Sequence, residues 1–303
     1  MRQFLALTGR NVKLYLRDKS AIFFSLLSAL IVIVLMLFFL GDMNIEGILG
    51  ILNGFPGRDI AQDKENAELL VLSWTCAGIL SINAVTISLA MYSGMIKDRI
   101  HGRLNAIYTA PVSRFAVSLG YIAAAWVTSA FMCVLTLAVT EIYGVMQGLE
   151  PYSFLVHLQL LGMIMVNSFI YAALMYLLAM IARTEGAWSG FGTVIGTLVG
   201  FLGGIYIPIG SLADSISGFM KGTPILYGTS MFRTVMTESI LGKTFEGVPE
   251  DVVTEYCEVM GIRLKVFDYA ITVRDEWILL LVCGIIFFVA GAFMLRYGKK
   301  SDR

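Results

Sequence analysis

The sequence predicts an all-α membrane protein: six transmembrane helices, an N-terminal interfacial amphipathic helix, and a small external cap between spans five and six. Three observations lead there. Of the 303 residues, 57% are apolar and only 15% charged, whereas a soluble domain carries roughly 25% charged residues. Six long runs hold no Asp, Glu, Lys, Arg or His: 21–40, 69–96, 115–140, 158–182, 187–209 and 277–295. The basic residues fall on alternate loops. A helix rising ~1.5 Å per residue crosses a ~30 Å hydrocarbon core in about 20 residues, so each run suffices. Helices close their backbone hydrogen bonds within the segment, and the ~10-residue alternation of a barrel strand is absent.

Residues 1–19 precede the first run. At 100° per residue Arg10, Lys13 and Arg17 share one face, with Phe4, Leu5, Val12, Tyr15 and Leu16 clustered opposite. An apolar face with a basic back is the pattern of a helix lying in the membrane interface. It serves either as a plain positive anchor or also as a contact for a cytoplasmic partner. The run 21–40 is too long for a secretory signal core and lacks a small-residue cleavage site, so it reads as a retained first span.

Orientation follows from charge. With the N-terminus inside, the segments before span one, after spans two and four, and after span six hold 14 of the 22 basic residues and four of the 22 acids. Both termini are therefore expected in the cytoplasm of a multi-pass protein of the cell membrane. Formal net charge is zero, which excludes a general nucleic-acid surface. The chain is expected to form one transmembrane domain, 1–303. It comprises the interfacial helix, spans one to five within 21–209, the external region 210–276, span six at 277–295 and a cytoplasmic tail, 296–303.

The external loops are unequal. Segment 41–68 reads as a moderately long acidic loop, and 141–157 as a short one. In 210–276 the first part, 211–241, is apolar and broken by glycines and Pro224; whether it re-enters the bilayer stays open. Pro249, Glu250 and Asp251 then start a helix that Gly261 stops, and 262–271 reads as extended chain.

Four cysteines and two histidines make no metal-ligand spacing, and no metal is expected. Asn83, Gln159 and Asn167 are polar residues within spans; Asn83 and Asn167 either bond neighbouring helices or face a substrate path. Gly192, Gly196, Gly200 and Gly204 recur every fourth residue of the fifth run. Such a smooth stripe lets backbones approach closely, either within the chain or at a dimer seam. No ionisable residue lies within the runs, which argues against ion-coupled transport.

The inner loop after span two carries Lys97, Asp98, Arg99, Ile100, His101, Gly102, Arg103 and Leu104, and ends in Thr109, Ala110, Pro111, Val112, Ser113 and Arg114. Leu104, Ile107 and Tyr108 at helical spacing predict a short amphipathic helix that Pro111 ends. The stretch from Asp98 to Arg114 resembles the corresponding loop of type-2 ABC export permeases: an acidic-basic pair, a Gly, an apolar residue, then a Thr-x-Pro-Val-Ser-Arg end. The family usually has Glu where this chain has Asp98. A second resemblance follows span five, where Pro208, the Pro224-Ile225-Leu226-Tyr227 segment and Arg233 stand in the family's order.

The resemblance implies a permease subunit of an ATP-driven exporter. It also implies an ABC ATP-binding subunit as partner, which binds ATP and Mg, and a second permease copy or a homologous permease. It assigns contact with the ATPase to the loop, through Asp98, Arg99, Gly102, Arg103, Leu104, Thr109 and Pro111, so charge reversal at Arg99 and Arg103 is expected to uncouple transport. A phosphate-cradling G-x-x-x-x-G-K-[ST] loop is missing: Gly242-Lys243-Thr244 has Thr237 at the first required glycine and reads as a loop turn. No cofactor is expected in this chain, and no enzymatic activity of its own. The cargo reads as amphipathic: a drug, antibiotic, peptide or lipid. An ATP-independent carrier or channel and a lipid-modifying membrane enzyme are the alternatives.

Overall fold

The computed structural model describes residues 2–35, 41–109, 112–267 and 269–297. Among the described residues twelve α-helices and one small hairpin follow in order, with a 3-10 turn at Ile209–Ser211: α1 (Arg2–Arg17), α2 (Lys19–Leu35), α3 (Gly41–Leu52), α4 (Ile60–Ile100), α5 (Arg103–Thr109), α6 (Arg114–Met146), α7 (Phe154–Ile181), α8 (Glu185–Leu202), α9 (Asp214–Lys221), α10 (Pro224–Thr244), α11 (Glu250–Val259), β1 (Lys265–Val266), β2 (Tyr269–Ala270) and α12 (Val273–Tyr297).

Among the described residues, four helices are long and apolar enough to cross a membrane: α4, α6, α7 and α12. The first and fifth expected spans fall on α2, described over 17 residues, and on α8, which has 18. Residues 36–40 of the first run lie outside the described residues.

α4 is the axis of the bundle. Its 41 residues extend about 60 Å at ~1.5 Å per residue. The helix begins nine residues before the expected span because Asp59 caps it, accepting from the Ala61 amide at 2.9 Å, and because exposed charges do not end a helix. The expected acidic loop 41–68 is thus mostly helical. α3 lays Ile48 and Leu52 into the core, packed on α4. Arg58 then grips Asp63 through two 2.7 Å hydrogen bonds and donates to the Thr244 and Glu246 carbonyls, which ties the start of α4 to the end of α10.

α7 and α12 run side by side in parallel, in a seven-residue register set by glycines. A Cβ at Gly162 would meet Trp277 at 3.2 Å, one at Gly284 would meet Ile170 and Phe169 at 3.1 and 3.2 Å, and one at Gly291 would meet Tyr176 at 2.8 Å. Close backbone approach of this kind supplies the van der Waals contact that lipid cannot reward.

α8 stops at Leu202, seven residues before the expected end of span five. Gly204 has φ +61°, the Ile205 amide donates to the Gly200 carbonyl at 2.9 Å, and the Gly204 amide to Phe201 at 2.8 Å. That is a Schellman stop, which needs a residue able to adopt the left-handed conformation. Between α8 and α12, α10 is largely buried against α4, α7 and α12. Gly242-Lys243-Thr244, read as a loop turn, forms the last turn of that helix.

Candidate functional site

At one end of α4 three other elements gather on one carboxylate. The Asp98 side chain is only 3% exposed. Its Oδ2 accepts from the Tyr121 hydroxyl of α6 at 2.8 Å and pairs with Arg10 Nη1 of α1 at 2.8 Å. Its Oδ1 lies 3.5 Å from Arg103 Nη1 of α5. The bond to Asp98 raises Arg10 above its ordinary value. α1 is positioned for this by its packing on α6, where a Cβ at Gly120 would come 2.9 Å from Leu7 Cβ. The face of α1 turned to the protein carries Leu7, Asn11 and Tyr15. Leu5 and Leu16 are exposed, as are Lys13 and Arg17. Arg10 therefore leaves the basic face drawn from the sequence and points at α4.

Arg99, one residue on, is spent differently. Its Nη1 donates to the Ala179 and Ala182 carbonyls at 3.1 and 3.0 Å, the free carbonyls at the end of α7. A guanidinium there satisfies orphan acceptors and opposes the negative end of the helix dipole. Gly102 follows at φ +71°, a left-handed corner that turns the chain from α4 into α5. Leu104 is buried. The outward surface of the turn and of α5 consists of Ile100, His101, Arg103, Asn105 and Thr109; the Arg103 side chain is 63% exposed. His101 Nδ1 lies 3.7 Å from Glu185 at the start of α8, so the connection between α7 and α8 adjoins the one between α4 and α6. Ser113 caps α6 by accepting from the Ala116 amide at 3.1 Å. Pro111 lies outside the described residues.

The structure thus brings α1, the connections α4–α6 and α7–α8 and the ends of α4 and α7 to one surface. Of the loop residues picked out in the sequence, Arg103 and Thr109 face outward, Asp98 and Leu104 face inward, and Arg99 is held by α7.

The remaining candidates lie elsewhere. Asn83 is fully buried and donates to Thr136 Oγ1 at 2.8 Å. Asn167 is also fully buried, and neither of its amide atoms has a hydrogen-bond partner among the described residues. A Cβ at Gly228 of α10 would approach Asn167 Oδ1 to 2.5 Å, so the glycine makes room for the amide. Both asparagines sit in helix seams.

On α8, a Cβ at Gly192 would meet Leu89 of α4 at 3.1 Å, and one at Gly200 would collide with the Tyr206 ring. Two of the four stripe glycines therefore serve contacts inside this chain. Gly196 is half-buried, and Gly204 lies beyond the helix. Val194, Leu198 and Phe201 form the exposed side of α8, whereas Val199 is fully buried.

The burial of Arg233 and Glu276 was not legible in the sequence. Arg233 of α10 is fully buried; it donates to the Gly204 carbonyl at 2.8 Å and the Met260 carbonyl at 3.2 Å and stacks 3.9 Å above the Trp74 ring. The indole of Trp74 donates to the same Met260 carbonyl at 2.9 Å. Glu276, in the first turn of α12, is 2% exposed, and its Oε2 has no partner among the described residues. It lies just ahead of the last uncharged run, so a search of the runs alone passes over it.

Residues 2–237 match the family model described as ABC-2 type transporter. The match spans α1 to most of α10 and stops ahead of α11, the hairpin and α12. No curated protein matches the chain.

Proposed function

The chain belongs to the ABC-2 type transporter family, and on that premise we propose that it is the permease subunit of an ATP-driven exporter. As a multi-pass membrane protein of this family it is a transport subunit. In our reading it crosses the cell membrane six times, with α2 and α8 as the added spans and both termini in the cytoplasm. It associates with a separate ATP-binding subunit, which holds ATP and Mg, and with a second permease copy or a homologous one. The cargo is amphipathic and moves by alternating access. Nucleotide shifts the inward- and outward-open states by binding them with different affinity through the partner.

The observation that carries this reading is the convergence at Asp98. A force applied to α5 reaches α4, α6 and α1 through one buried carboxylate, and α7 through the neighbouring Arg99. The exposed face of α5 supplies the contact; the inward residues supply the transmission. Arg99→Glu would also place an acid at the negative end of α7 and so disturb folding, which leaves Arg103 as the discriminating position.

The test uses the chain co-expressed with its ATP-binding subunit. Arg103→Glu is expected to leave membrane insertion intact while it weakens co-purification of that subunit and separates ATP hydrolysis from transport. Normal transport and normal hydrolysis in this variant would overturn the assignment.

A further inference from the structure

The hairpin between α11 and α12 presents an aromatic tip in an unfavourable backbone conformation. Phe267 has φ +53°, the one positive value at a non-glycine among the described residues. A left-handed conformation is uncommon for a bulky side chain; hairpin corners of this kind ordinarily use Asn, Asp or Gly. The ring gains no protein contact in return, since Phe267 is 95% exposed. Strain held without internal compensation points to a function outside the fold.

The surroundings say which function. Tyr269, paired across the hairpin with Val266, is 60% exposed. Arg263, Lys265 and Arg274 are exposed around it. The hairpin is also fixed to the helix that follows. Thr272 and Asp275 form a capping box, with the Thr272 amide donating to Asp275 Oδ2 at 3.0 Å and the Asp275 amide to Thr272 Oγ1 at 3.3 Å, the reciprocal pattern that starts a helix. The Tyr269 hydroxyl donates to the same carboxylate oxygen at 3.1 Å. The aromatic tip is therefore held at the head of α12, whose side carries exposed Ile278, Leu281 and Ile285, the lipid-facing surface of a spanning helix. Parallel to it, α7 begins with exposed Phe154 and Leu155. Between Ile278 and the hairpin the exposed residues are Arg274 and Thr272. α11 differs: its exposed residues are acidic, Glu250, Asp251 and Glu255.

We propose that the hairpin residues 263–267 and 269–274 anchor this end of the molecule in the membrane interface, with Phe267 and Tyr269 seated at the boundary of headgroups and acyl chains and Arg263, Lys265 and Arg274 bound to anionic lipid headgroups. Aromatic rings favour that level of a bilayer, and each basic side chain near an anionic surface adds attraction that salt screens. The anchor fixes the height of α12, and through the α7–α12 seam the height of α7.

The experiment places an NBD fluorophore at Phe267→Cys in the full chain with its four native cysteines replaced, and at Glu255→Cys as the aqueous comparison. Both are reconstituted into phosphatidylcholine vesicles, alone or with an equal part of phosphatidylglycerol. Iodide is expected to quench position 267 about fivefold less than position 255, the ratio that ~1 kcal/mol of interfacial transfer gives. A shallow nitroxide lipid should quench it more, and phosphatidylglycerol should deepen the protection. Equal iodide quenching at the two positions overturns the anchor. Equal depth in both vesicle types overturns the anionic-lipid contact. Should the cysteine-free chain fail to insert, the native-cysteine chain carries the test. Trypsin should cut Phe267→Ser at Arg263 and Lys265 faster than the unaltered chain in phosphatidylglycerol vesicles, and equal rates refute the proposal.

Discussion

Replacing Asp98 by alanine removes the carboxylate on which α1, α4, α5 and α6 converge. The Tyr121 hydroxyl loses its acceptor, and a hydrogen bond to a charged group contributes ~1.5–3 kcal/mol. Arg10 loses its partner. Breaking a fully buried pair costs ~3–5 kcal/mol, but Arg10 is 34% exposed and can turn to water, so only a fraction of that applies. The Tyr121 bond joins α6 to α4, so the Arg10 pair alone sets the cost to α1: about 1–2 kcal/mol against its docked position, or a roughly five- to thirtyfold rise in its undocked population. Asp98→Asn keeps an acceptor for Tyr121 and should cost only ~1 kcal/mol. Native-state proteolysis reads the undocked population directly when opening is fast relative to cleavage, and Arg2, Arg10, Lys13, Arg17 and Lys19 offer trypsin sites. The expected order of cleavage is Asp98→Ala fastest, then Asp98→Asn, then the unaltered chain, with a coupling of ~1–2 kcal/mol between Asp98→Ala and Arg10→Gln in a double-mutant cycle. Unaltered cleavage in Asp98→Ala, or strict additivity with Arg10→Gln, would refute the reasoning.

Gly200→Ala drives a methyl group into the Tyr206 ring and should cost ~1–3 kcal/mol as overpacking, whereas Val194→Leu, on the exposed side of α8, should stay within ~0.5 kcal/mol; thermal inactivation in detergent ranks them, and equal midpoints would place Gly200 in open space. Arg233→Lys should destabilise more than Arg233→Met. The ammonium cannot span the Gly204 and Met260 carbonyls yet keeps a buried charge, while methionine loses the hydrogen bonds but removes the charge; the reverse order in folded yield would contradict the bidentate geometry. Single cysteines at Lys243 and Lys299 should react from opposite sides of the membrane with an impermeant reagent on intact cells, and labelling of Lys299→Cys from outside would invert the topology.

Where a structural feature depends on neighbours in sequence, it was legible. The uncharged runs locate α4, α6, α7 and α12. Pro249 and Gly261 bound α11, and the extended stretch after it is the hairpin. What failed were the boundaries drawn from hydropathy. Asp63, Lys64, Glu65 and Glu68 end an apolar run without ending a helix, so the first turns of α4 were read as loop although Asp59 was a ready cap. Conversely, apolar Ile205 to Ile209 prolonged the fifth run past the glycine stop at Gly203 and Gly204. α3 was hidden because its glycines and acids mask the spacing of Ile45, Ile48 and Leu52. In the candidate site the loop was legible but not its orientation. Arg10 and Asp98 are 88 positions apart, and nothing local says that a loop carboxylate turns inward to meet a cation on another helix. The burial of Arg233 and Glu276 has the same cause: their surroundings come from α4, α8 and α11 in one case and from α10 in the other.

α4 gives these separate observations a common physical sense. Its last turns hold Asp98 and Arg99, so they are fixed to α1, α6 and α7. Near its other end Ser73 donates to the Met236 carbonyl at 2.6 Å, Trp74 to Met260, and Asp63 holds Arg58 against the end of α10. An α-helix with its backbone bonds intact moves as a rod over distances of this kind; bends need a proline, a Gly/Ser pair, a π-bulge or an inserted group. Between Ile60 and Ile100 there is no proline, and the adjacent Gly/Ser pair, Ser93-Gly94, lies near the Asp98 end. A tilt of the stretch that carries Trp74 must be followed by the elements stapled there, α10, the end of α8 and α11, or they lose their hydrogen bonds. The buried Arg233 makes the second outcome costly, because its two carbonyl acceptors belong to different segments that would part. The same charge that stabilises the static fold poorly thus favours movement of α10, the end of α8 and α11 as one body with α4. For the function proposed above, that is the mechanical condition for a signal at the α5 surface to cross the membrane.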